Sequence, residues 1–248
     1  MISIKSDKEI ALMREPCAIC RDTLLFVEKQ IHAGMTTQQV DDLVYKYITS
    51  CGAVPTCKGY YGFPGSACVS VNEVVVHGIP GDRVIMDGDI VSVDITAGKN
   101  GYIGDACRTF CIGNVSEQAR KLVRVTEECF FIGMQGVGPG TPLYDISAAV
   151  QKHAEENGFG VVRAYVGHGI GRDMHEDPSV PNYGKKGTGM RLKAGMTFCV
   201  EPMITMGGWR TITDREDGWT ARTADSSWAA HYENTVLITP DGYEILTL

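Results

Sequence analysis

A chain of 248 residues, 44% of them hydrophobic and 21% charged, is long enough for one large globular unit, or for two fused halves that share a core. The formal net charge of −7 comes without a Lys/Arg block, which argues against a nucleic-acid groove. No uncharged apolar run approaches the ~18 residues of a membrane span.

The N-terminal segment MISIKSDKEI carries charges where a secretory signal would be apolar. Nine cysteines, an odd number with no paired framework, read as thiols in a reducing, cytoplasmic compartment. Ser6 followed by Glu9 makes a capping box. Ile10, Met13, Cys17, Cys20, Leu24, Val27 and Ile31 then recur at spacings of 3 and 4, which predicts one long helix. Cys17 and Cys20 lie on its apolar stripe and read as buried thiols, and Pro16 predicts a kink. A second capping box, from Thr36 or Thr37 to Gln39, opens a helix that ends near Gly52. A third helix runs from about Ser116 to Met134. A fourth starts at Thr141-Pro142, with Pro at the first helical position, and ends at Gly158. Between them, residues 66–77, 84–97, 102–112, 160–167, 196–204 and 231–247 are β-rich, punctuated by Gly and Asp/Asn. Gly34 and Gly52 bracket the second helix with the same separation as Gly140 and Gly158 around the fourth. That repeat predicts a single domain over 1–248, built of two similar halves (about 1–113 and 114–248) with a shared site between them.

The chemistry begins in residues 89–96, which alternate as a strand should, followed by a second strand from Tyr102 to Cys111. A hairpin symmetric about Lys99-Asn100 sets Asp94 opposite Asp105, at a cross-strand Cβ separation of about 5 Å. Two carboxylates so placed repel unless a shared proton, a basic side chain or a metal cation neutralises them. His168 sits in Gly167-His168-Gly169-Ile170-Gly171, where glycines let backbones approach closely. Glu201 and Glu233 are each embedded in an apolar β run with few cations nearby. As a set, Asp94, Asp105, His168, Glu201 and Glu233 are oxygen-rich and suit two divalent cations better than one structural zinc. Beside such a site, His77 and His175 become candidates for proton transfer and oxyanion stabilisation.

The stretches Val71–Pro80, Asp94, Gly104-Asp105, Gly167–Gly171, His175-Glu176, Phe198–Pro202 and Tyr232–Thr235 together resemble the methionine aminopeptidases, specifically the short bacterial type 1 form. The resemblance implies the α+β "pita-bread" fold, a pseudo-twofold curved antiparallel sheet with outer helices. It implies that Asp94, Asp105, His168, Glu201 and Glu233 hold two divalent metal ions (Co, Mn, Fe, Zn or Ni). His77 would contact the substrate, His175 would stabilise the transition state, and Glu201 would shuttle a proton. Cys57, Tyr60, Phe63, Cys68, Met174 and Trp219 fall where that family lines its methionine pocket, and their sulfur and aromatic surface suits a thioether. Phe63 and Met174 depart from the family's usual Tyr and aromatic residue. The implied activity is removal of the initiator methionine, by a metal-activated hydroxide, from peptides and nascent chains, ribosome-associated ones included, that carry a free Met amine. A monomer acting in the cytoplasm, without membrane or specific nucleic-acid partners, is expected. The rival reading is a related Xaa-Pro or small-molecule C–N hydrolase. The short spacing from Glu201 to Glu233 argues for type 1 over type 2.

Overall fold

The computed structural model describes residues 2–248. Helix α1 (Asp7–Glu28) ends three residues before Ile31, the last residue of its expected apolar stripe, and α2 (Thr37–Ser50), α3 (Glu117–Met134) and α4 (Leu143–Glu156) lie within two residues of their expected bounds. Both capping boxes form. The Ser6 N–H and hydroxyl donate to Glu9, while Thr36 and Gln39 exchange backbone-to-side-chain bonds. Helix α1 continues through Pro16, and Cys17 and Cys20 are buried thiols. The start of α4 is a correction. Pro142 is the cap rather than the first helical residue, because its extended backbone forms a β-bridge with Arg191. Among the described residues no helix is long and apolar enough to cross a membrane.

The strands in chain order are β1 (Val54–Pro55), β2 (Cys68–Val71), β3 (Val74–Val76), β4 (Ile90–Lys99), β5 (Tyr102–Cys111), β6 (Gly160–Val161), β7 (Gly167–Gly169), β8 (Glu176–Val180), β9 (Thr197–Val200), β10 (Met203–Thr205), β11 (Thr211–Thr213), β12 (Ala221–Thr223), β13 (Ala229–His231), β14 (Glu233–Thr239) and β15 (Gly242–Ile245). The main sheet runs β1-β4-β5-β14-β9-β7-β8, with β2 on β4 and β15 on β14. Two small sheets, β13-β10-β6 and β11-β12-β3, complete the β structure. Every pairing is antiparallel. Several expected strands prove shorter or split. The 196–204 run breaks at Glu201-Pro202, the 231–247 run breaks at Tyr232 and at Pro240-Asp241, and regular pairing in the 84–97 run starts only at Ile90.

The β4–β5 hairpin corrects the expected register. Pairing runs from Ile90↔Cys111 to Lys99↔Tyr102. The turn is Asn100-Gly101, with φ of 57° and 77°, the pair that a two-residue type I′ turn prefers. Asp94 therefore faces Cys107, and Asp105 faces Thr96. Because side chains alternate with a period of 2, this two-residue shift keeps both carboxylates on one face as diagonal neighbours.

The other face of the hairpin is apolar. Val91, Val93, Ile95 and Ala106 pack with Cys20, Leu24 and Val40 from α1 and α2. Gly104 lets α1 settle on β5, since a Cβ there would stand 2.7 Å from Cys17 Cα. On the other half of the sheet, α3 and α4 cover Phe198, Val200 and Val236. Helices thus seal one surface of the sheet and leave Asp94 and Asp105 on the other.

Candidate metal centre

The main sheet brings the acidic and imidazole groups together from strands far apart in sequence. Asp94 lies on β4, Asp105 on β5, Glu233 at the start of β14, Glu201 just past β9 and His168 at the centre of β7. Glu233 pairs with Cys107 across the β14–β5 ladder. Thr235 clamps Asp105, accepting from its N–H at 3.1 Å and donating to its carbonyl at 2.9 Å. The glycines flanking His168 are sterically required. A Cβ on Gly167 would lie 2.3 Å from Cys199 O, and one on Gly169 would lie 2.1 Å from Asp177 O. Strand β7 can therefore approach β8 and β9 closely enough to aim His168 at the acids.

His168 Nδ1 is 3.0 Å from the Gly169 carbonyl, which can only accept. That nitrogen thus carries the proton, and Nε2 presents its lone pair 3.7 Å from Asp105 Oδ2 and 3.6 Å from Glu201 Oε1. A second imidazole, His231, faces the other side: its Nε2 is 3.7 Å from both Glu201 Oε2 and Glu233 Oε2. Candidate donor atoms of Asp105, His168, Cys199 and Glu233 form one group within 4.8 Å, and those of Asp94, His231 and Glu233 form another. Glu201 falls outside both groups, yet its two oxygens span the imidazoles. Those contacts are direct, at 3.6 Å to His168 and 3.7 Å to His231. Cys199 is less apt as a donor, since burial holds its thiol protonated within an apolar cluster with Met13, Tyr102 and Ile170.

No Lys or Arg of the described residues pairs with these four carboxylates. Arg108 approaches but donates to the backbone oxygens of Cys107 and Glu233 and to Asn234 Oδ1. Burial, reinforced by neighbouring acids, pushes Asp105, Glu201 and Glu233 well above the usual carboxylate range. Burial alone raises Asp94 to about 7. Burial lowers His77 and His168 to about 4 and His231 to about 3, so all three are neutral at neutral pH. Asp105 Oδ1, Glu233 Oε1 and His231 Nε2 are buried without a hydrogen-bond partner. Such orphaned polar atoms are costly unless a partner satisfies them, and a cation would satisfy the two carboxylate oxygens, so the donor set fits divalent metal.

Every candidate site residue named from the sequence borders one cavity of about 210 Å³. Cys57, Phe63, Cys68 and Met174 form a buried apolar cluster against which Tyr60 and Trp219 pack. Phe63 and Trp219 meet edge to face, with centroids 5.2 Å apart. Tyr60 OH is 2.8 Å from His175 Nδ1, and the His175 ring lies 4.2 Å from that of His168. His77, at a positive φ of 59°, stands edge-on to Tyr165 and Trp219. Sequence reasoning missed His231, Tyr165 and Thr96, which also line the cavity. Only His231 carried a usable signal, standing two residues before Glu233 and so at the same-face spacing of a strand.

The model for metallopeptidase family M24 matches residues 11–240. A methionine aminopeptidase of Clostridium perfringens is 51% identical, over 100% of this chain and 99% of its own. The crystal structure of methionine aminopeptidase from Rickettsia prowazekii superposes with a TM-score of 0.98 at 44% identity, covering 100% of both chains. The prolidase of Pyrococcus furiosus, at 23% identity, shares the fold alone, with a TM-score of 0.78 over 99% of this chain and 65% of that one. The expected pita-bread fold is therefore present, and the chain belongs to metallopeptidase family M24 and, within it, to the methionine aminopeptidases.

Proposed function

We propose that this protein hydrolyses the bond after an N-terminal methionine that has a free α-amino group. The observation that carries this reading is one cavity in which three buried carboxylates and the part-buried Asp94, none paired with a Lys or Arg among the described residues, adjoin a pocket lined by sulfur and aromatic side chains. Asp94, Asp105, His168, Glu201 and Glu233 would hold two divalent cations of the Co, Mn, Fe, Zn or Ni kind, which when bound supply an activated water near neutral pH and a Lewis acid for the carbonyl.

The chain's own groups do the rest. Cys57, Phe63, Cys68, Met174 and Trp219 receive the thioether. A free α-amino group offers a nitrogen lone pair to a cation held by the adjoining carboxylates, and a formylated one does not. Glu201, its carboxyl raised by burial, takes the proton of the attacking water and passes it to the leaving amine. Tyr60 OH, 2.8 Å from His175 Nδ1, would donate a hydrogen bond to that nitrogen in the tautomer this role requires. The ring proton of His175 then sits on Nε2, free to donate to the developing oxyanion. His77, neutral through burial, is placed to hydrogen-bond the scissile amide. Nine free thiols support a cytoplasmic setting, where nascent chains are the natural substrates.

The test compares Met-Ala-Ser, formyl-Met-Ala-Ser and Ala-Pro-Ser under identical metal conditions. Release of methionine from the first alone is expected. Equal cleavage of the formyl peptide would remove the role of the free amine, and preference for Ala-Pro-Ser would make the protein an Xaa-Pro hydrolase.

A further inference from the structure

His231 has no part in the roles assigned above, yet its backbone is held on both sides. Its backbone N–H donates to Thr109 Oγ1 at 3.0 Å, and its carbonyl accepts from the same hydroxyl at 2.8 Å. The residue is 2% exposed. Its Nε2 is buried without a partner and points at Glu201 and Glu233. At 3.7 Å from each carboxylate, the contact is too long for a hydrogen bond. Two donors on one cation, each about 2.1 Å from it, lie roughly 3–3.6 Å apart, close to the separation observed. His168 Nε2 shows the same spacing to its own acids, 3.6 and 3.7 Å. The two imidazoles therefore flank Glu201, one facing each oxygen.

We propose that His231 is a sixth donor, whose Nε2 supplies a nitrogen to the cation position lined by Asp94 and Glu233, as His168 does for the position lined by Asp105. This rests on the two-cation reading of the cavity. A nitrogen at that position shifts its preference from purely oxygen-seeking cations such as Mg²⁺ toward Fe, Co, Ni and Zn. The clamp at Thr109 fixes the backbone of His231 before any cation arrives, which limits the reorganisation that binding requires.

The test uses the full-length protein, stripped of metal and titrated with Co²⁺. With two equivalents bound, ¹H NMR of ¹⁵N-histidine-labelled wild-type protein should show two strongly shifted ring N–H signals, the second appearing only with the second equivalent. His231→Leu should lose that second signal and weaken the second binding step by about 10–100-fold, leaving the first step unchanged. His231→Gln, which keeps a polar side chain, should also lose the signal. Two bound cobalts with a single shifted histidine ring in the wild-type protein would overturn the assignment of His231 alone. Failure to bind two cobalts at all would overturn the two-cation reading, and this inference with it.

Discussion

His175 meets the cavity through one ring nitrogen because Tyr60 engages the other, 2.8 Å away. That pairing separates two kinds of loss. His175→Ala removes a donor that acts in the transition state, so kcat should fall by about 10²–10³ with little change in KM. Loss of bound metal in that variant would instead make His175 a ligand. Tyr60→Phe keeps the ring surface but frees the tautomer, so kcat should fall on the order of 10-fold with metal content intact; an unchanged kcat would show that the hydroxyl does not set the imidazole proton. Asp105→Asn preserves shape and removes charge where Oδ1 has no other partner. Elemental analysis should find metal lost along with activity. Full metal content would contradict the ligand role.

Among the strands, β7 carries the tightest constraint. Gly169→Ala would force a Cβ to 2.1 Å from Asp177 O, and such overpacking costs about 1–3 kcal/mol. A lowered Tm together with weaker cation binding is expected, because β7 aims His168; a shift in neither would show that the strand yields easily. The glycine run around His168 was legible because only a close backbone approach needs it. The shared face of Asp94 and Asp105 was legible too, and it survived a misplaced turn because a two-residue slip preserves the face. The exact pairing was not, since Lys99-Asn100-Gly101 offers two turn centres and only Asn100-Gly101 meets the positive-φ demand. Strands β8 and β11 went unseen because they are short and mostly polar and so lack an apolar alternation to read. His231 was missed for a different reason: the residues that give it meaning, Thr109 and Glu201, come from distant strands.

At the scale of the whole molecule, the cavity is a concentration of misplaced protons. Asp94, at about 7, and the still higher Asp105, Glu201 and Glu233 bind protons more tightly folded than unfolded. Their contribution to stability is complete below their unfolded values and is lost as pH rises through the folded ones. His77, His168 and His231 act in the opposite sense. Their contribution is complete above their unfolded value of 6.5 and is lost as pH falls through about 4, 4 and 3. Between pH 6.5 and 8 the imidazoles shed only their remaining unfolded-state protons, while the more strongly shifted carboxyls carry the larger change, so the Tm of metal-free protein should fall across that range. Added divalent cation should restore more stability at pH 8 than at pH 6.5, because binding displaces protons. A Tm that is flat or rising with pH in the presence of chelator would contradict the burial of these acids. The central claim, that the acids serve as a cation site for hydrolysis, is tested most directly by methionine release from Met-Ala-Ser as stripped protein is titrated with divalent metal. No release before addition and a saturable rise with bound cation are predicted. Full activity in exhaustively chelated protein, with no metal detectable by elemental analysis, would contradict it.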